Sequence, residues 1–138
     1  MKKYIIFLTI LAGCYSKSIL INNNKQLLNT MDLFFSYYTE GDTKKLSDMI
    51  DDNCPCDKNQ LINAINKQIR KNKNIQLTYN IKKIIETDQK VVVYILWKKR
   101  YLDITINKTV IKKGKAELYF IKADKDYILS NIKGENPL

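Results

Sequence analysis

The sequence predicts an α+β domain, with amino-terminal helices packed on one face of an antiparallel sheet of about four strands. Three observations carry this reading. Apolar residues recur at helical spacing between Lys25 and Arg70. After Asn74 the period changes to two, and the two-period runs that follow are separated only by short turn signals, as in successive hairpins.

The first helix is expected over Lys25–Tyr38, capped by Asn23 or Asn24, with Leu27, Met31, Phe34 and Tyr38 on one face. Gly41 supplies its stop, because glycine accepts the left-handed conformation that ends helices. Asp42 or Thr43 caps a short second helix through Ile50, with Leu46, Met49 and Ile50 inward. Asp57 and Gln60 resemble a capping box opening a third helix to about Arg70, whose stripe is Leu61, Ile62, Ile65 and Ile69. Ile75, Leu77, Tyr79 and Ile81 alternate with polar residues as in a half-buried strand. Asp88-Gln89 turns into a long strand from Val91 to Ile106, whose start is apolar on both faces, as in a central strand covered on both sides. Asn107-Lys108 turns into Thr109–Ala123, where Gly114 is read as a bulge. Asp124-Lys125-Asp126 turns into the closing strand Tyr127–Lys133.

Ahead of this domain, Lys2 and Lys3 precede an apolar run from Tyr4 to Leu11. The run is far short of the roughly 20 residues a spanning helix needs, and its basic start marks it as an export signal. It ends in Leu11-Ala12-Gly13-Cys14, which resembles the lipobox of bacterial lipoproteins. The resemblance implies cleavage between Gly13 and Cys14, with Cys14 carrying the lipid. Several acyl chains on one cysteine imply stable attachment, whereas a single chain holds only marginally. Tyr15 in place of an aspartate favours, by the enterobacterial sorting rule, the outer membrane facing the periplasm over the inner membrane. The organisation is then a signal peptide over 1–13, a lipidated tether over 14–24 and one domain over 25–138. The tether reaches at most roughly 30 Å, with Ile19-Leu20-Ile21 able to dock and shorten it.

Charge divides along the chain. Tyr15–Asp57 holds four basic and seven acidic residues, whereas Lys58–Leu138 holds eighteen basic and seven acidic. Such an excess is either a lysine-rich solvated surface or an attraction to anionic envelope material such as lipid headgroups. Lys98-Lys99-Arg100 and Lys112-Lys113 would suit phosphate contacts, but export and tethering exclude nucleic acid as a partner.

The layout resembles the nuclear transport factor 2-like superfamily, in which a curved sheet wraps helices into a cone, and its SnoaL-like members. The likeness rests on Tyr38-Thr39-Glu40-Gly41-Asp42 followed by a short helix, the long strand from Val91, and the closing Tyr127–Ile132 with Lys133-Gly134-Glu135-Asn136-Pro137. That superfamily includes isomerases, dehydratases and exported lipoproteins, so the fold does not supply the function. Its enzymes place an acid or a His-Asp pair, often with a tyrosine, inside the cone. This chain has no histidine, which excludes the pair.

The candidate site residues are few. Asp103 shares strand parity with Val91, Val93, Ile95, Trp97, Lys99 and Tyr101. On a concave face it would act as general base, with Tyr79 or Tyr101 donating to an oxyanion; the competing reading is a rim aspartate. Cys54-Pro55-Cys56 reads as a structural or incidental pair, a local disulfide, or a redox or metal motif. No cofactor and no metal site is assigned, since two cysteines without histidine make a poor metal centre. The expected role is non-enzymatic. A small apolar or amphipathic ligand would sit in the cone, or a protein partner, a second copy or another envelope protein, would cover the sheet face bearing Val92, Tyr94 and Leu96. The alternative is a pocket enzyme using Asp103 and a tyrosine for isomerase- or dehydratase-like proton transfer.

Overall fold

The computed structural model describes the backbone of residues 17–124 and 126–138, with side chains from Asn24 onward. Gly13 and Cys14, on which the signal and lipid assignments rest, lie outside these residues. Three helices, α1 (Lys17–Glu40), α2 (Thr43–Asp48) and α3 (Lys58–Lys71), precede four strands, β1 (Asn72–Glu86), β2 (Lys90–Asp103), β3 (Lys108–Ala123) and β4 (Asp126–Gly134). The strands form one antiparallel sheet in sequence order, β1-β2-β3-β4. Every connection between them is a hairpin, as the short turn signals require.

The helix stripes are buried as expected: Leu27, Met31, Phe34, Tyr38, Leu46 and Ile65 are all essentially inaccessible. Gly41 ends α1 at φ +77°. The caps form through carboxylates, Asp42 accepting from the Lys45 amide at 3.2 Å and Asp57 from the Gln60 amide at 3.2 Å. Each satisfies an amide that the first helical turn would leave unpaired.

Several boundaries differ from expectation. The first helix begins at Lys17, so most of the span expected as tether is helical backbone. Asn24 is a buried residue inside the helix, not its cap, because packing on the domain outweighs the weak helix propensity of the asparagines. β2 ends at Asp103 instead of Ile106, and residues 104–107 form the turn, with Asn107 at φ 51°. Asparagine is among the few residues that accept that conformation readily.

The inner face of β2 carries Val91, Val93, Ile95, Trp97, Lys99 and Tyr101, all buried against the helices. Among the described residues nothing covers its outer face fully, and Val92, Tyr94 and Leu96 are half-exposed. The irregularities that curve the sheet lie between Lys73 and Gln76 and between Ile81 and Lys83 on β1, and at Ser130 of β4, the extra residue opposite Tyr119 and Phe120.

Gly114 is not a bulge: it pairs in unbroken register with Trp97. It is glycine for space, since a Cβ there would lie 2.6 Å from Trp97 Cζ2 and 2.9 Å from Glu135 Cβ. Gly114→Ala should therefore displace the indole and destabilise the fold by about 1–3 kcal/mol, the usual range for overpacking. Denaturant unfolding that shows no loss would mean the ring has room to move.

Candidate functional site

The alternation of β2 carries one charged side chain into the apolar interior. Lys99 is 5 % exposed, flanked on its own strand face by Trp97 and Tyr101. Its Nζ donates to the Tyr38 hydroxyl of α1 at 3.0 Å and to the Pro137 carbonyl at 2.8 Å. The rings of Tyr38, Trp97 and Tyr101 surround the ammonium, with centroids 5.4, 5.9 and 5.9 Å away. A lysine in such a cage gains cation–π attraction that partly offsets its lost hydration.

The network continues in one direction. The Tyr38 hydroxyl donates to Gln68 Oε1 on α3 at 3.3 Å, and Gln68 Nε2 donates to the Leu138 carbonyl at 3.3 Å. The segment after β4 thus folds back over the interior. Gly134 turns it at φ +84°, the Glu135 amide bonds the Lys115 carbonyl at 2.8 Å, and Trp97 Nε1 donates to the Glu135 carbonyl at 2.7 Å. Pro137 and Leu138 end buried, Leu138 as part of the hydrophobic core.

Burial pulls the Lys99 ammonium from 10.5 down to about 8, with Lys112 adding a smaller repulsion. Burial also pushes the Tyr38 phenol well above the ordinary tyrosine range, with Tyr101 contributing in the same direction. Tyr38 is therefore a neutral hydroxyl that accepts from Lys99 while donating to Gln68. Chemically this is a hydrogen-bond chain whose two ends meet carbonyls of the chain itself.

The residues singled out from sequence occupy three different places. Tyr79 is buried, donates to Asp32 Oδ1 at 3.1 Å and packs on Phe35 at 5.0 Å between ring centroids. With Leu33, Phe35, Ile75 and Leu77 it lines an open groove of about 600 Å³ between α1 and β1. Tyr101 lies beside Lys99 in the interior. Asp103 is at the end of β2, where its carboxylate accepts from the Thr105 amide at 2.9 Å and from the Thr105 hydroxyl. Those bonds hold its carboxyl below the usual range. Tyr79 pairs with Trp97, six residues before Asp103, so tyrosine and acid stand about 20 Å apart along the strand. Cys54 and Cys56 are joined as a local disulfide with Cα atoms 5.1 Å apart, and Cys54 packs into the core. Among the described residues no group of three histidine, cysteine or acidic side chains is placed to hold a metal.

The sequence signal for Lys99 was its parity with Trp97 and Tyr101. The inward fold of Pro137 and Leu138 had no comparable signal, since it depends on a pairing with Lys115 distant in sequence.

The architecture is the nuclear transport factor 2-like fold. The chain superimposes with TM-score 0.71 on a nuclear transport factor 2-like superfamily protein from Salmonella enterica, at 10% identity over 83% of this chain and 91% of that one. A conserved protein from Planctomyces limnophilus gives TM-score 0.72 at 10% identity, over 83% and 98% of the two chains. A ketosteroid isomerase-like protein from Erwinia carotovora gives 0.66 at 9% identity, over 82% and 96%. No protein-family model matches the chain, and no curated protein matches it in sequence. At such identities the likeness is one of fold.

The Lys99 shift has a thermodynamic consequence. Between about pH 8 and 10 the unfolded chain holds more protons at this position than the folded one, so stability should rise with pH across that window. Above pH 10 the trend should reverse, because folded Tyr38 keeps a proton that the unfolded tyrosine loses. Thermal melts at fixed ionic strength should show the rise, and Lys99→Met should abolish it; a wild-type melting point that falls from pH 8 to 10 would contradict the burial of the ammonium.

Proposed function

We propose that this chain is a lipid-anchored protein of the bacterial envelope with a non-enzymatic binding role, and that its ligand seat is the groove between α1 and β1. The observation that carries this reading is the filled interior. The place where a cone of this fold would receive a substrate holds Lys99, Tyr38 and the chain's own Pro137 and Leu138. The groove is open, walled by Leu33, Phe35, Ile75, Leu77 and Tyr79, and has Asp32 at its margin. A small amphipathic molecule suits those walls, its apolar body lying along the side chains. The anchor reading rests on Leu11-Ala12-Gly13-Cys14, and with it goes placement on the outer membrane, facing the periplasm.

A protein partner on the sheet is a second reading, favoured by the half-exposed Val92, Tyr94 and Leu96 on the outer face of β2. A second copy of this chain or another envelope protein would cover them. A pocket enzyme using Asp103 and a tyrosine is the alternative reading: Thr105 occupies that carboxylate at a strand end and Tyr79 stands far from it, whereas Tyr101 lies two residues away at the same strand parity.

Two measurements test the proposal. Native mass spectrometry of the processed protein from its own envelope should retain a small-molecule adduct that Leu33→Asp removes; Leu33 is 50% exposed, so the fold should survive the change. A dimeric or hetero-complex mass without adduct would shift the assignment to the sheet face, and bare monomer would defeat both. Cys14→Ser should release the protein from membranes, and undiminished retention would end the lipid-anchor assignment.

A further inference from the structure

The basic excess of the carboxyl-terminal half is concentrated by the fold at one place. Between Lys98 and Lys115 the chain carries seven basic residues and a single acid, Asp103. Lys99 turns inward, and the rest stand on or around the β2–β3 hairpin. On the outer face Lys98 lies directly opposite Lys113, a like-charge cross-strand pair that weakens a sheet. The ion pairs of the described residues lie elsewhere, at Asp42, Asp52 and Glu86. Asp103 is turned to Thr105. Lys98, Arg100 and Lys113, with Gln76 and Thr78, line a depression of about 640 Å³ on that face.

The same hairpin end is apolar at its tip. Ile104, Ile106 and Ile111 are 49%, 56% and 53% exposed, and they make up most of the strongly exposed large apolar side chains among the described residues. Ile111 pairs with Arg100 on the outer face, so apolar and cationic groups share one surface. The turn is braced, with the Ile104 amide donating to the Lys71 carbonyl of α3 at 2.9 Å. Isoleucines presented on a braced turn and ringed by unpaired lysines are poorly suited to water alone. A solvated lysine-rich surface explains the cations but not the isoleucines.

We propose that this hairpin end is a membrane contact built into the domain. Ile104, Ile106 and Ile111 enter the interfacial layer of an anionic bilayer, while Lys98, Arg100 and Lys113 engage its phosphate headgroups. Apolar tips and flanking cations act together in such contacts, each cation adding electrostatic attraction near an anionic surface. The contact does not depend on lipid at Cys14. Gln26 of α1 meets Asp126 at 3.4 Å at the opposite end of the sheet, so the hairpin end is remote from the amino-terminal half of α1.

Hydrogen exchange resolved at residues 104–107 tests this in the full chain, because the readout is local and indifferent to the amino-terminal segment. Vesicles of phosphatidylglycerol mixed with phosphatidylcholine should slow exchange there, whereas phosphatidylcholine alone should not. Lys98→Gln/Arg100→Gln/Lys113→Gln should weaken the vesicle concentration dependence roughly a hundredfold, at about fivefold per cation. Ile104→Ser/Ile106→Ser should also remove the slowing; all five positions are exposed, so the fold should survive. Equal slowing by phosphatidylcholine alone, or by soluble polyphosphate at matched phosphate, would overturn the proposal. So would retention of the effect in the isoleucine variant, or protection that grows with protein concentration without vesicles, which would mark an interface between copies.

Discussion

A lysine ammonium placed inside an apolar cone has to find its donors' partners there or stay neutral. Lys99 finds two, the Tyr38 hydroxyl and the Pro137 carbonyl, and these come from opposite ends of the described chain. That geometry draws α1, the centre of β2 and the segment after β4 into one cluster, to which Gln68 adds α3. Trp97 can lie flat over Gly114 and bond Glu135 only when the closing segment is in place. The buried aromatics, the positive φ of Gly134 and the inward turn of Leu138 are therefore parts of one arrangement.

In the interior, Lys99, Tyr38, Gln68 and the closing segment hydrogen-bond one another. Charge and exposed apolar surface are displaced outward, to the α1–β1 groove and to the β2–β3 hairpin end. The two regions differ in chemistry. The groove is apolar with an acid at its edge, and the hairpin end is basic with isoleucines at its tip.

Much of the fold was legible because its signals are local. The stripe Leu27, Met31, Phe34 and Tyr38, the caps Asp42 and Asp57, and the alternation from Val91 to Tyr101 each follow from spacing within a few residues. The start of α1 at Lys17 was not legible, since asparagines read as a break until packing is known. Gly114 was misread for a related reason: its role is set by Trp97 across the sheet, not by its own neighbours. The candidate site was legible only in part. Parity put Lys99 and Tyr101 on one strand face with Trp97, but which face is inner, where β2 ends, and hence what Asp103 meets, depended on the helices and on the turn at 104–107. The partnership of Lys99 with Pro137 joins residues far apart in sequence, and neither composition nor period encodes it.

The central claim is that the interior is occupied by the protein's own lysine, closed over by its own chain. Titration of the Lys99 Nζ resonance by heteronuclear NMR measures this directly. The midpoint should lie near the value of about 8 imposed by burial, well separated from the exposed lysines. A midpoint at the ordinary lysine value of 10.5 would mean that the ammonium is solvated, that the segment beyond Gly134 does not close the cone, and that the interior is open to a ligand after all.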